Sequence, residues 1–299
     1  MERLRNLPKS LFDLVYLGYE STVLGEDNLN ILNAEPKNPA IVYFNHATKD
    51  DIFITIALLH KYAPDRLKGA LIPISGYHSE FSKNPAYSIT SQYAKRFGGF
   101  SMPKITQSYR RNGEGKKTSD NNDLLKQDRN FAHVTKSALS AGRLVIISPE
   151  GHRSSQANLL PAEAGVSMIA RFMKGLKDRR QIENGYFIPL GLVFDSYEGP
   201  HKLHINFKNK PKLTISVGNP IDVDTLIRES SKKTENKNPN SPSHYLMERL
   251  AQILPGKMRG VYSEGLLSET YMNRFELRLD ESGRVYIFDK VINSRMDYV

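Results

Sequence analysis

Cysteine is absent from the 299-residue chain. That excludes a disulfide framework, a thiolate nucleophile and a zinc site built on cysteine. Long apolar runs are missing as well: none approaches the roughly 20 residues that a membrane-spanning helix needs. The N-terminus does not read as a signal peptide. Its apolar stretch is short, carries Asp13, and no small-residue cleavage pattern follows. No internal repeat is visible. The histidines outside one motif do not gather as metal ligands. His201 and His204, three apart on an expected strand, point to opposite faces. His60, His78 and His133 have no His or carboxylate at ligand spacing, and His244 has no His there, so no metal is expected.

What is present is ordinary globular composition with a basic excess. The chain carries 42 Lys and Arg against 32 Asp and Glu, a formal net charge of +10. The excess points to an anionic partner: nucleic acid, acidic lipid, a phosphorylated substrate or an acidic carrier protein. A nucleic-acid-binding protein would explain the charge. However, no recognised nucleic-acid motif is present, and the basic residues are scattered over three segments.

Hydrophobic patterning predicts strands at 40–44, 144–147, 186–194, 203–207 and 212–217. Helices are expected at 8–20, 52–60, 122–141 (closed by Gly142), 161–180 and 244–253. Strands alternating with helices, apolar on both faces, argue for an α/β fold with a largely parallel central sheet flanked by helices. The helix at 8–20 either packs on the domain or lies in a membrane surface. Residues 105–121 read as a polar insertion and 229–243 as a disordered linker. Alternation over 275–288 around Asp280-Glu281-Ser282-Gly283 predicts a C-terminal β-hairpin. The resulting division is an N-terminal helical segment at 1–27, a main domain at 28–228, the linker at 229–243, and a C-terminal helix and hairpin at 244–299.

Two segments directly after strands carry chemistry, and strand carboxyl ends are where ligands collect in open α/β sheets. The first is Asn45-His46-Ala47-Thr48-Lys49-Asp50-Asp51. His46 suits proton transfer near neutral pH, provided a carboxylate fixes its tautomer. Residues five apart on one helix do not share a face, so His46 meets Asp51 only if it lies in the turn before the helix. Asp50 is the competing partner. A surface His beside helix-capping aspartates is the plainer alternative. The second segment is Ser148-Pro149-Glu150-Gly151-His152-Arg153-Ser154-Ser155. A glycine turn exposes backbone N–H groups, Arg153 offers a fork for phosphate, and Ser154 adds a hydroxyl. Glu150 either accepts from substrate hydroxyls or holds the loop. An ordinary βα turn with a surface Arg is the plainer alternative here.

Together the segments resemble the glycerol-phosphate and lysophosphatidate acyltransferase family. Asn45, His46 and Asp51 match its Asn-His-x4-Asp signature. Pro149, Glu150, Gly151, Arg153 and Ser154 match its Pro-Glu-Gly-Thr-Arg-Ser block, with His152 at the Thr position. Phe97-Gly98-Gly99-Phe100 leads to Lys104, where Arg is usual. Ala164–Ala170, Ile188–Gly191 and Val217–Ile221 resemble later motifs, so the likeness spans about 28–222.

The resemblance implies an acyltransferase that moves a fatty acyl group from acyl-coenzyme A or acyl-carrier protein to a glycerophospholipid precursor. The acceptor expected first is 1-acylglycerol-3-phosphate, with glycerol-3-phosphate as the alternative. His46 would be the base and Asp51 its orienting group. Lys104, Glu150, Gly151, Arg153 and Ser154 would bind substrate. No cofactor is implied, because the thioester is already activated. The expected setting is cytoplasmic and peripheral to an anionic membrane surface. A degenerate member that only binds lipid is the remaining alternative.

Overall fold

A computed structural model describes residues 17–75, 104–105, 121–151, 153–154, 157–197, 199, 206–232, 241–263, 275–279, 285–289 and 294–295. Among the described residues the main sheet has six strands: β1 (Glu20–Leu24), β2 (Ala40–Phe44), β5 (Leu144–Ile147), β6 (Tyr186–Phe194), β7 (Lys212–Val217) and β8 (Ile221–Asp222). Its order is β1-β7-β6-β2-β5, with β8 also paired to β6. β2 runs parallel to β5 and β6, and β1 parallel to β7, while β7 and β8 run antiparallel to β6. The sheet is therefore largely parallel. Every residue of β2 and β5 is buried, as expected for strands covered on both faces.

Pro189 lies inside β6, where a proline normally breaks a ladder. Its carbonyl accepts from Gly218 N–H at 2.9 Å, so the edge that lacks an N–H faces the bulge between β7 and β8. Gly218 is required at this approach, because a Cβ there would stand 2.6 Å from the Pro189 ring.

Among the described residues the longer helices are α1 (Asp51–Tyr62), α2 (Asn121–Ser140), α3 (Ala164–Asp178), α4 (Val223–Lys232) and α5 (Ser241–Gln252). α3 buries Val166, Ile169, Ala170 and Met173, one stripe at helical spacing. α5 packs on β6, α3 and α4. Outside the main sheet, β3 (Ile74–Ser75) pairs in parallel with β4 (Lys104–Ile105). β9 (Phe275–Leu279) and β10 (Val285–Asp289) form the expected antiparallel hairpin, and β11 (Ser294–Arg295) adds a third strand to it.

Several boundaries differ from the sequence expectation. The helix placed at 8–20 falls mostly outside the described residues, but it has ended by Tyr19, and Glu20 opens β1. Pairing with β7 decides that segment, not its apolar pattern. Within the strand expected at 203–207, residues 203–205 are outside the description. Asn206 instead starts a turn, its Oδ1 accepting from Lys208 and Asn209 N–H. α3 starts at Ala164 and not at Pro161, because Glu163 is extended and the N–H groups of Ala162 and Glu163 are bonded to neighbouring segments. It ends at Asp178 in a Schellman closure: Arg180 N–H bonds Lys177 O, Gln181 N–H bonds Leu176 O, and Arg180 takes φ 55°. Of the expected linker, 229–232 complete α4 and 241–243 open α5, while 233–240 lie outside the described residues. So do 106–120 of the polar insertion.

Candidate active site

β2 and β5 are in register, with Tyr43 opposite Ile147, so the two motif segments leave the sheet side by side at one edge. Asn45 extends the sheet by one more step with its side chain. Its Nδ2 donates to Leu192 O at 2.9 Å, and its Oδ1 accepts from Leu192 N–H at 2.7 Å. This amide acts as a substitute peptide group and fixes where the chain leaves β2.

His46 then lies in the turn before α1, and Asp51 is the first residue of that helix. His46 Nδ1 stands 3.1 Å from Asp51 Oδ2. A carboxylate only accepts, so the proton sits on Nδ1 and the lone pair on Nε2. Asp51 is fully buried and held from two more directions: Thr48 N–H donates to Oδ2 at 2.8 Å and Thr48 Oγ1 to Oδ1 at 2.7 Å. The His46 side chain keeps 26% of its surface exposed. Its buried orienting group and accessible ring are the arrangement a general base requires. The competing carboxylate, Asp50, points elsewhere and accepts from Tyr19 Oη at 2.5 Å.

Glu150 is buried beneath His46. Its Oε1 accepts from His46 N–H at 2.6 Å and its Oε2 from Leu160 N–H at 2.7 Å. Burial pushes its carboxyl up to about 8, opposed by those two backbone donors and reinforced by Asp51. Of the two roles weighed for Glu150, this geometry is that of holding the loop. Gly151 takes φ 68°, the left-handed turn that a side chain would strain. Ser154 is buried, its Oγ bonded to Asn158 Oδ1 and its N–H to His46 O at 3.3 Å. Arg153 is half-buried. Burial lowers its pKa, while the charges of Asp51 and Tyr197 act the other way. Its guanidinium thus lies within electrostatic reach of the His46–Asp51 pair. Lys104 sits on β4, which packs against α2; only its backbone is described, so its side chain lies outside the description.

Three further residues belong to the site's frame. Tyr197 Oη lies 2.6 Å from Ser154 O and 3.2 Å from Ala47 O, bridging the two motif loops. Burial first, then Asp51, raises its phenol well above the ordinary value. Tyr19 fixes Asp50, and Thr48 fixes Asp51. Thr48 was legible in principle, as a hydroxyl three residues before a helix-opening carboxylate. Tyr19 and Tyr197 carry no local signal, since their partners are 31 and 43 or more residues away. Among the described residues, no group of three or more His, Asp or Glu is placed to hold a metal ion.

A protein-family model described as Acyltransferase matches residues 22–193, more than half of the chain. The match takes in both motif segments and Lys104. No curated protein matches the chain.

Proposed function

The chain belongs to the acyltransferase family, and on that premise we propose that it transfers a fatty acyl group from an acyl thioester to a hydroxyl of 1-acylglycerol-3-phosphate, giving phosphatidate. The observation that carries the reading is the His46 Nδ1–Asp51 Oδ2 contact of 3.1 Å, with the ring otherwise accessible. His46 Nε2 takes the acceptor hydroxyl proton. The oxygen attacks the thioester carbonyl carbon and forms a tetrahedral intermediate. That intermediate collapses with cleavage of the C–S bond, and the imidazolium returns its proton to the departing sulfur. No acyl-enzyme and no cofactor enter the sequence.

Asp51 stabilises the imidazolium and holds the tautomer. Arg153, half-buried beside this pair, is the group for the acceptor phosphate, with Lys104 as a helper. Gly151 and Ser154 shape the phosphate-side loop. The donor is acyl-coenzyme A or acyl-carrier protein, whose acidic groups match the chain's net charge of +10. No described helix is long and apolar enough to cross a membrane, so a lipid acceptor is met by docking on an anionic membrane surface.

The test is thiol release from acyl-coenzyme A, with 1-acylglycerol-3-phosphate, glycerol-3-phosphate or no acceptor. The chain has no cysteine, so it contributes no thiol of its own to the signal. Release that depends on the lysophosphatidate, with phosphatidate as product, is expected. Release only with glycerol-3-phosphate would overturn the acceptor, and no release with any acceptor from either carrier would overturn the reading.

A further inference from the structure

The family match ends at residue 193, and the segment from Ser241 to Tyr262 lies wholly beyond it. That segment nonetheless grips the loop that follows the second motif. Leu159 N–H donates to Met258 O at 2.9 Å, and Ala162 N–H to Tyr262 Oη at 2.9 Å. The approach is close: Gly260 has φ +53°, and a Cβ on it would stand 2.0 Å from Leu159 O. On its other side the same loop is bonded to the motif. Leu160 N–H reaches Glu150 Oε2 at 2.7 Å, and Glu163 N–H reaches Pro149 O at 2.8 Å. Glu150 in turn holds His46 N–H at 2.6 Å.

Tyr262 is buried, and its hydroxyl is engaged on both sides. The oxygen accepts from Ala162, which leaves its own proton for His244 Nδ1, 3.1 Å away. Burial pushes His244 down to about 4, so its ring is neutral near pH 7 and accepts there. A network satisfied at every member is rigid, whereas one with a member removed leaves a buried donor unpaired.

We propose that Tyr262 is a positioning residue for His46, acting through the Leu159–Ala162 loop and the Glu150 carboxyl group. The proposal rests on the reading of His46 as the base. Without the Tyr262 hydroxyl, Ala162 N–H loses its acceptor and the loop relaxes. Leu160 then releases Glu150, and the backbone of His46 is no longer fixed relative to Asp51. The segment beyond the family match is thereby part of the machinery that sets the catalytic geometry.

The test compares Tyr262→Phe, which removes one oxygen, with wild type by hydrogen–deuterium exchange on the full chain. Exchange in peptides covering 45–48 and 158–163 is expected to accelerate tenfold or more, with β2 unchanged. In the thiol-release assay kcat should fall about tenfold while the donor KM stays within about twofold. Combining Tyr262→Phe with Glu150→Gln should lower kcat no further than Glu150→Gln alone, because both break one chain of contacts. His244→Ala, which deprives the Tyr262 proton of its acceptor, should give the same pattern in smaller measure. It replaces Tyr262→Phe if that variant does not fold. Unchanged exchange at 45–48 in a folded variant, or acceleration spread evenly over β2, would overturn the proposal. Exchange needs no substrate, so a chain that transfers no acyl group would sink the functional reading alone and leave this test standing.

Discussion

Replacing Glu150 by glutamine removes a titratable group from beneath His46 with almost no change of shape. In the folded chain burial pushes this carboxyl from 4.5 up to about 8. In the unfolded chain it loses its proton near the ordinary value. Between those limits the folded state holds the extra proton, so stability falls as pH rises. His244 runs the other way. Burial takes it from 6.5 to about 4, so the unfolded chain binds the extra proton and stability rises from pH 4 to 6.5. The two slopes oppose each other below pH 6.5. Above it, of this pair, only the Glu150 slope remains, at about 1.4 kcal/mol per pH unit and tapering near pH 8. Wild type should therefore lose about 2 kcal/mol from this group between pH 6.5 and 8.

Glutamine has no proton to lose, and its amide N–H2 faces one of the two backbone N–H groups. That costs about 1–3 kcal/mol at every pH. The variant should thus be less stable than wild type at pH 6.5, with the gap narrowing toward pH 8. Urea unfolding followed by circular dichroism at half-unit pH steps measures the gap. A wild-type-minus-variant difference that stays constant with pH would refute the account of Glu150 as a buried, proton-retaining brace.

Asp51→Asn should lower kcat by about a hundredfold or more, since it loses the tautomer control that a carboxylate provides. Asp50→Asn should lower the melting temperature while folded protein keeps most of its turnover, because Asp50 is bonded to Tyr19 and not to His46. Kinetics beside thermal melts separate the two, and the reverse ranking would overturn the assignment. Arg153→Ala should raise the KM for a phosphorylated acceptor by about 10- to 150-fold, the range of a lost charged hydrogen bond. Unchanged KM and kcat would place the phosphate elsewhere. Co-sedimentation with anionic vesicles should weaken as salt rises, each cation near the surface contributing about 1 kcal/mol. No binding at low salt would refute membrane docking.

The parts of the fold that were legible in the sequence are those decided locally. β2, β5 and β6 are short apolar runs, and Gly142 closes α2 with φ 67° where a left-handed turn is needed. β1 was hidden because Glu20–Leu24 is a half-exposed edge strand whose identity comes from pairing with β7. The start of α3 is not legible in the sequence, because Pro161 looks like a helix opener. Tertiary bonds to the N–H groups of Ala162 and Glu163 hold the chain out of the helix instead, with Glu163 extended. At the site, residue spacing alone leaves Asp50 and Asp51 as competitors, and the family resemblance selects Asp51. The turn geometry gives the physical reason: His46 Nδ1 meets Asp51, while Asp50 is bonded to Tyr19. The braces on the two loops, Tyr19, Tyr197 and Tyr262, each depend on a contact across 31 or more residues, which no local pattern encodes.

The central claim is that His46 is the base of an acyl transfer to a lysophosphatidate hydroxyl. The direct measurement is acceptor-dependent thiol release by wild type and His46→Ala, with folding of both checked by circular dichroism. His46 lies in a turn and its ring is partly exposed, so the variant should fold with little loss of stability. Its rate should fall by about 10²–10⁴, the usual contribution of a general base. A folded His46→Ala protein that turns over at a near-wild-type rate would contradict the account.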